Sequence, residues 1–266
     1  EDTLWENVEA AKTAYYDYYN TDGFLIEGYS AYHVFRNCKA HGWTDAGFDL
    51  KPHVIVENCM AYDNTWTNGR HTNGHGFKIW RDGIVRNSIA YNNKTANFLY
   101  GGYLPNYKMI GNISYNGSVN FEDRQGQSDP GLSAQSIKIS HNIFLNSNIN
   151  DEIGDVTGVS ALKYADYNLY FGGSLPNEKG ANAKVVDPKL TNVNAKDFRP
   201  LAGSPAIDGG SQTLTQFMAV VDFDGKSRKI GSAIDIGPFE YGSAETPSVV
   251  PSVTRSVTSR TPTISR

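Results

Sequence analysis

Thr72-Asn73-Gly74-His75-Gly76-Phe77-Lys78-Ile79-Trp80 is the stretch that decides the fold, because its Gly-Phe-x-apolar pattern recurs along the chain. Asp22-Gly23-Phe24-Leu25-Ile26 and Asp45-Ala46-Gly47-Phe48-Asp49-Leu50 are earlier copies, and Asn97-Phe98-Leu99-Tyr100 and Asn120-Phe121-Glu122-Asp123 are looser later ones. The five phenylalanines stand 24, 29, 21 and 23 residues apart. Side chains alternate across a strand, so if each Phe points inward, the residue after it points outward. That alternation predicts an outward column of Leu25, Asp49, Lys78, Leu99 and Glu122.

A second motif repeats with the same spacing. Glu6-Asn7-Val8, Arg36-Asn37-Cys38, Glu57-Asn58-Cys59 and Arg86-Asn87-Ser88 drift later to Gly111-Asn112, His141-Asn142 and Tyr167-Asn168. Aligning Val8, Cys38, Cys59, Ser88, Asn112, Asn142 and Asn168 gives steps of 30, 21, 29, 24, 30 and 26 residues. Self-similarity at such a period marks a solenoid. Asn tolerates the left-handed corner conformation and can ladder with the Asn one coil away. The fold expected is all-β, a right-handed parallel β-helix with a C-terminal capping segment. A leucine-rich repeat lacks its Leu signature here, and a propeller would need antiparallel hairpins inside each period.

The chain divides accordingly. Residues 1–175 read as coils, with a Tyr-rich excursion from Ala10 to Tyr19 and long loops at Asp63 to Asn73 and Arg124 to Gln135. Residues 176–241 read as the last coils and a cap whose apolar side chains cover the final open rung. Residues 242–266 turn to Ser, Thr and Pro and read as a linker, a tether toward another module. The opening in mid-motif predicts a short or missing N-terminal cap and no export leader in this sequence.

The 266 residues carry 24 Lys and Arg against 28 Asp and Glu, a formal charge of −4. That balance offers no basic footprint for nucleic acid or an anionic membrane. No apolar run reaches the roughly 18 residues of a membrane span. Nothing in the pattern demands an obligate interface, so a monomer is expected. Cys38 and Cys59 occupy one column a coil apart, at about 4.8 Å. In-line parallel side chains make poor disulfide geometry, so stacked free thiols are favoured over a bridge.

Asp22, Asp45 and Asp49 fall on adjacent coils beside Lys78. Converging carboxylates of this kind suit Ca²⁺, which takes several oxygen ligands, although Asp before Gly is also ordinary turn chemistry. An outward Lys is usually a solvated charge or a weak ion pair. To act as a base, Lys78 must hold a neutral amine, which partial desolvation or a nearby cation favours. Arg70, His71, His75, Arg81 and Arg124 are candidates for binding an acidic sugar, and Trp66, Trp80, Tyr100 and Tyr103 for stacking on its rings.

The succession Asp22-Gly23-Phe24, Asp45-Ala46-Gly47-Phe48-Asp49, Asn58 to Asn64 and Asn73-Gly74-His75-Gly76-Phe77-Lys78 resembles the core of family 9 polysaccharide lyases, secreted right-handed parallel β-helix enzymes that cleave acidic pectic polysaccharides. The resemblance covers about residues 20 to 120. It implies Lys78 as catalytic base, Asp22, Asp45 and Asp49 as calcium ligands, and calcium-assisted β-elimination on a uronic-acid polymer. Where the family motif carries a second Asp, this chain has Ala46, so another oxygen such as Asp63 is expected to complete the metal site. A glycoside hydrolase would need two paired carboxylates, for which Glu122 and Asp123 are poor candidates. The competing expectation is a non-catalytic glycan-binding or cell-surface β-helix.

Overall fold

The computed structural model describes residues 2–12, 21–28, 31–65, 73–101, 106–122, 137–152 and 160–242. The chain winds into coils of three short strands each. The first coil is β1 (Thr3–Glu6), β2 (Glu9–Ala11) and β3 (Phe24–Ile26); the second is β4 (Tyr32–Arg36), β5 (Lys39–His41) and β6 (Ala46–Leu50). The third is β7 (His53–Glu57), β8 (Met60–Tyr62) and β9 (His75–Ile79), and the fourth is β10 (Asp82–Arg86), β11 (Ile89–Tyr91) and β12 (Ala96–Gly101). The fifth is β13 (Asn106–Ile110), β14 (Ile113–Tyr115) and β15 (Val119–Glu122), and the sixth is β16 (Lys138–Ser140), β17 (Ile143–Leu145) and β18 (Ile149–Asp151). β19 (Ala165–Asp166) and β20 (Leu169–Phe171) form the seventh coil, and β21 (Lys184–Val185) pairs with β20 to end the stack.

Equivalent strands pair in parallel from coil to coil. They form a 7-stranded first sheet from β1 to β19, an 8-stranded second sheet from β2 to β21, and a 6-stranded third sheet from β3 to β18. This is a parallel β-helix. β22 (Leu190–Asn192) and β23 (Asp197–Pro200) add a small antiparallel ribbon in the C-terminal segment.

The corners explain the repeating asparagines. Asn7, Asn37, Asn58 and Asn87 have φ between 50° and 57°, the left-handed region that Asn tolerates better than most residues. In later coils Gly111, His141 and Tyr167 take the same place, with φ of 67°, 60° and 53°. The next position is the inward ladder. The amide of Cys59 donates to Ser88 Oγ, that of Ser88 to Asn112 Oδ1, that of Asn112 to Asn142 Oδ1, and that of Asn142 to Asn168 Oδ1, at 2.8 to 3.1 Å. Buried backbone donors are thus satisfied by a column of side chains where no strand reaches. Cys38 and Cys59 head this column as free, buried thiols.

Inside the third sheet Phe24, Phe48, Phe77 and Phe98 stack with ring centroids 4.7, 4.9 and 5.2 Å apart. Such offset aromatic contacts each add about 0.5–1.5 kcal/mol beyond burial. The column then shifts. Phe98 faces Val119, while Phe121 pairs with Tyr100 one inward position further along. The outward column is therefore Leu25, Asp49, Lys78, Leu99 and Asn120, and Glu122 is not part of it. Spacing between phenylalanines could not reveal this, because an inward position can be filled by any apolar residue.

The apolar C-terminal segment covers the solenoid along its flank. Phe198, Ala206, Ile236 and Phe239 pack on Ile89, Tyr91, Ile113, Ile143, Leu145 and Leu169, which face out of the second sheet in coils four to seven. Those coils carry apolar residues on both faces of the sheet, so the outer face needs a cover as much as the core does. No helix among the described residues is long and apolar enough to cross a membrane.

Candidate active site

Three successive strands of the third sheet build one charged cluster. β6 supplies Asp49, and β9 supplies Lys78 directly opposite it in register. Asp45 stands at the corner before β6 and Asp22 at the corner before β3. The inward phenylalanines fix the backbone, so Asp49 and Lys78 must face outward. They are nonetheless only 4% and 7% exposed.

Lys78 Nζ donates to Asp49 Oδ2 at 2.9 Å and lies 3.4 Å from both carboxylate oxygens of Asp45. Trp80 Nε1 donates to Asp49 Oδ1 at 2.5 Å, and the Trp80 ring centroid is 5.3 Å from Lys78 Nζ. Asp22 Oδ1 accepts the backbone N–H of Ala46 at 2.9 Å. Ligand oxygens of Asp22, Asp45 and Asp49 lie within 4.8 Å of one another. Burial, and then the like charges of Asp45 and Asp49, push the Asp22 carboxyl up to about 7, although Lys78 opposes the shift. Three carboxylates around one lysine leave an excess of negative charge, so the donor set fits a hard divalent cation.

Other residues predicted for the site fall elsewhere. Asp63 sits at the left-handed corner after β8 (φ 51°), where Asn92 Nδ2 donates to it at 3.1 Å. It belongs to a ladder of corner residues with Asn92 and Asn116 and does not join the three aspartates. Tyr100 is fully buried and stacks on Phe121 inside the core, so it offers no platform to a sugar. Its position, two residues beyond the inward Phe98, is inward by the same alternation. His75 lies on the same side of β9 as Phe77 and is buried. Ala46 is also buried, in register with His75, and what it contributes to the site is its backbone N–H. Arg81 is half-buried at the corner between β9 and β10. Trp66, Arg70, His71, Tyr103 and Arg124 lie outside the described residues.

Sequence reasoning missed Lys51. Its Nζ lies 5.9 Å from the Trp80 ring centroid and pairs with Glu27. Lys51 is two residues beyond Asp49, as Trp80 is two beyond Lys78, and the period of two along a strand could have found it.

No family model matches the chain. Among curated proteins, a pectate lyase L from Thermoclostridium stercorarium is 34% identical over 114 residues, covering 36% of this chain and 9% of that protein. A pectate lyase L from Paenibacillus polymyxa (strain SC2) is 27% identical over 237 residues, covering 82% of this chain and 47% of that protein. The chain thus spans less than half the length of either relative. Among solved structures, that of pectate lyase Pel9A superposes with a TM-score of 0.55 at 18% identity, covering 90% of this chain and 59% of that one. Coil architecture, charged cluster and sequence similarity converge on one description: the chain is a pectate lyase-like parallel β-helix protein.

Proposed function

We propose that the chain is the β-helix of a secreted lyase that cleaves an acidic pectic polysaccharide by β-elimination, with Lys78 as the base and Asp22, Asp45 and Asp49 holding Ca²⁺. The observation that carries this reading is the placement of Lys78 Nζ against two of three clustered carboxylates on consecutive coils. The names of the curated relatives support the substrate class.

Bound Ca²⁺ would neutralise the substrate carboxylate and make the C5 proton of the uronic acid more acidic. Lys78 Nζ, as the neutral amine that a nearby cation favours, takes that proton, the C4–O bond breaks, a C4–C5 double bond forms, and the departing oxygen picks up a proton. Asp45 and Asp49 hold the Lys78 side chain in one place, which removes the cost of ordering a flexible lysine at the moment of reaction. Trp80 fixes the Asp49 carboxylate through its indole N–H.

Buried at 2.9 Å from Asp49, Lys78 also fits a structural ion pair in a non-catalytic glycan-binding protein. The two readings separate in one experiment. The full chain is assayed for the ultraviolet absorbance of unsaturated uronides on pectate, with added calcium and with a chelator, beside Lys78→Ala. The lyase reading expects a calcium-dependent rise that Lys78→Ala abolishes while polymer binding persists. Polymer binding without any rise, from folded wild-type protein, would establish the binding protein instead.

A further inference from the structure

A second outward column runs beside Asp49 and Lys78 on the third sheet. One residue beyond the ends of β3, β6 and β9 stand Glu27, Lys51 and Trp80. The parallel ladder continues to them, since the Lys51 N–H donates to the Ile26 carbonyl and the Trp80 N–H to the Leu50 carbonyl, each at 3.1 Å. Leu50 and Ile79 are in register and buried in the core, so the residue after each turns outward.

Two ammonium groups approach the same indole. Lys51 Nζ lies 5.9 Å from the Trp80 ring centroid and Lys78 Nζ lies 5.3 Å from it. They are therefore no further apart than those two distances laid end to end, close enough to meet adjacent sugars of one polymer. Their settings differ. The Lys78 side chain is 9% exposed and lies between Asp45 and Asp49, whereas that of Lys51 is 22% exposed and pairs with Glu27 on the neighbouring coil. The Glu27 side chain is itself 61% exposed. Such a surface pair adds little to stability, so an incoming carboxylate can take the place of Glu27 at small cost.

We infer that Lys51 is a specificity-determining residue of this site, which rests on the lyase reading of the aspartate cluster. A uronic-acid polymer carries a carboxylate on every sugar, and the cluster with Lys78 serves only the sugar under attack. Lys51 leaves Glu27 and pairs with the carboxylate of the next sugar. A methyl ester on that sugar, or a neutral sugar in its place, removes the charge and leaves Lys51 with Glu27. The site then prefers runs of unesterified uronic acid over isolated ones.

Steady-state kinetics of the full chain test this on polygalacturonate and on pectin with half of its carboxyls methyl-esterified. Lys51→Gln should raise KM on polygalacturonate about ten-fold, the size of one lost contact to a charged group, with kcat little changed. It should also narrow the gap in KM between the two substrates, and Lys51→Arg, which keeps the charge, should preserve that gap. Glu27→Gln should lower KM, because it removes the competing carboxylate. An unchanged KM in Lys51→Gln overturns the proposal and leaves the lyase reading standing. So does a KM that moves in the same direction in Lys51→Gln and Glu27→Gln, as expected of a pair that only braces the fold. Absence of wild-type turnover strikes the lyase reading instead, and calorimetric titration with polygalacturonate then decides on Lys51. Weaker binding by Lys51→Gln than by the wild type upholds its role, and equal or absent binding overturns it.

Discussion

Two buried clusters in this molecule look alike in charge and differ in how their carboxylates are held. One gathers Asp22, Asp45 and Asp49 around Lys78. The other, in the C-terminal segment, gathers Asp222, Asp235 and Glu240 near Arg228. In the second, Asp222 accepts backbone N–H groups from Asp224, Lys226 and Glu240, Asp235 accepts those of Asp208 and Tyr241, and Glu240 accepts that of Asp235. Those carboxylates fasten loops to one another. In the first, Asp49 is held by the side chains of Lys78 and Trp80. Backbone donors cannot leave without unfolding a loop, whereas a lysine can swing away. Asp22 in the first cluster also accepts a backbone N–H, from Ala46, but Asp49, held by side chains on rigid strands, can exchange partners, and that is what a binding site requires.

Breaking the first cluster should therefore cost activity, and breaking the second should cost stability. The largest effect expected is on turnover. Lys78→Ala should lower it by about 10²–10⁴-fold, the usual contribution of a general base, while the urea midpoint moves little because Asp22, already near neutrality, takes up a proton. Full activity in Lys78→Ala would remove the lysine from the chemistry. Arg228→Met should instead destabilise the fold by about 3–5 kcal/mol, since it leaves buried acids without their cation. A loss under about 1 kcal/mol would show that the backbone amides alone neutralise them.

A smaller effect sharpens the comparison from inside the first cluster. Trp80→Phe keeps an aromatic side chain and removes the indole N–H that ties Asp49. Partners that orient a metal ligand are worth about 10–100-fold in affinity, so calcium titrated into the variant should bind correspondingly more weakly. Unchanged calcium affinity would mean that Asp49 is positioned by Lys78 and the strand alone.

Much of this was legible in the sequence, and the limits have physical causes. The Asn corner motif and the Gly-Phe repeats located the coils, since a left-handed corner and a stacked core each restrict residue choice. Asp49 and Lys78 could be placed on one face because the strand period is fixed at two, and Asp22 and Asp45 fell beside them because each precedes its own Gly-Phe copy. Position along a coil is less visible. Asp63 and Tyr100 carry suitable chemistry, yet one sits at a corner after the second sheet and the other points inward. The flank taken by the C-terminal segment was hidden for another reason. Nothing local in Phe198 or Phe239 names the surface they cover; the signal lay in the apolar outward residues of coils four to seven.

The smallest effect concerns His141, which joins the second cluster to the solenoid. Burial first, and then the charges of Arg228 and Lys138, lower its imidazole from 6.5 to about 3. Between those values the unfolded chain binds a proton at this residue and the folded chain does not. Stability then rises with pH across the window and is lost as pH falls below about 6.5, with a slope of up to about 1.4 kcal/mol per unit. Other acids titrate in the same range, so the comparison must be with a variant that changes only this group. His141→Asn suits, because Asn fills the equivalent left-handed corner at Asn7, Asn37, Asn58 and Asn87. Urea midpoints measured from pH 4 to pH 7 should give a shallower slope for His141→Asn than for the wild type. Parallel slopes would mean that His141 is protonated in the folded chain, and the flank would then carry a charge beside Arg228 that the packing of that segment has to absorb.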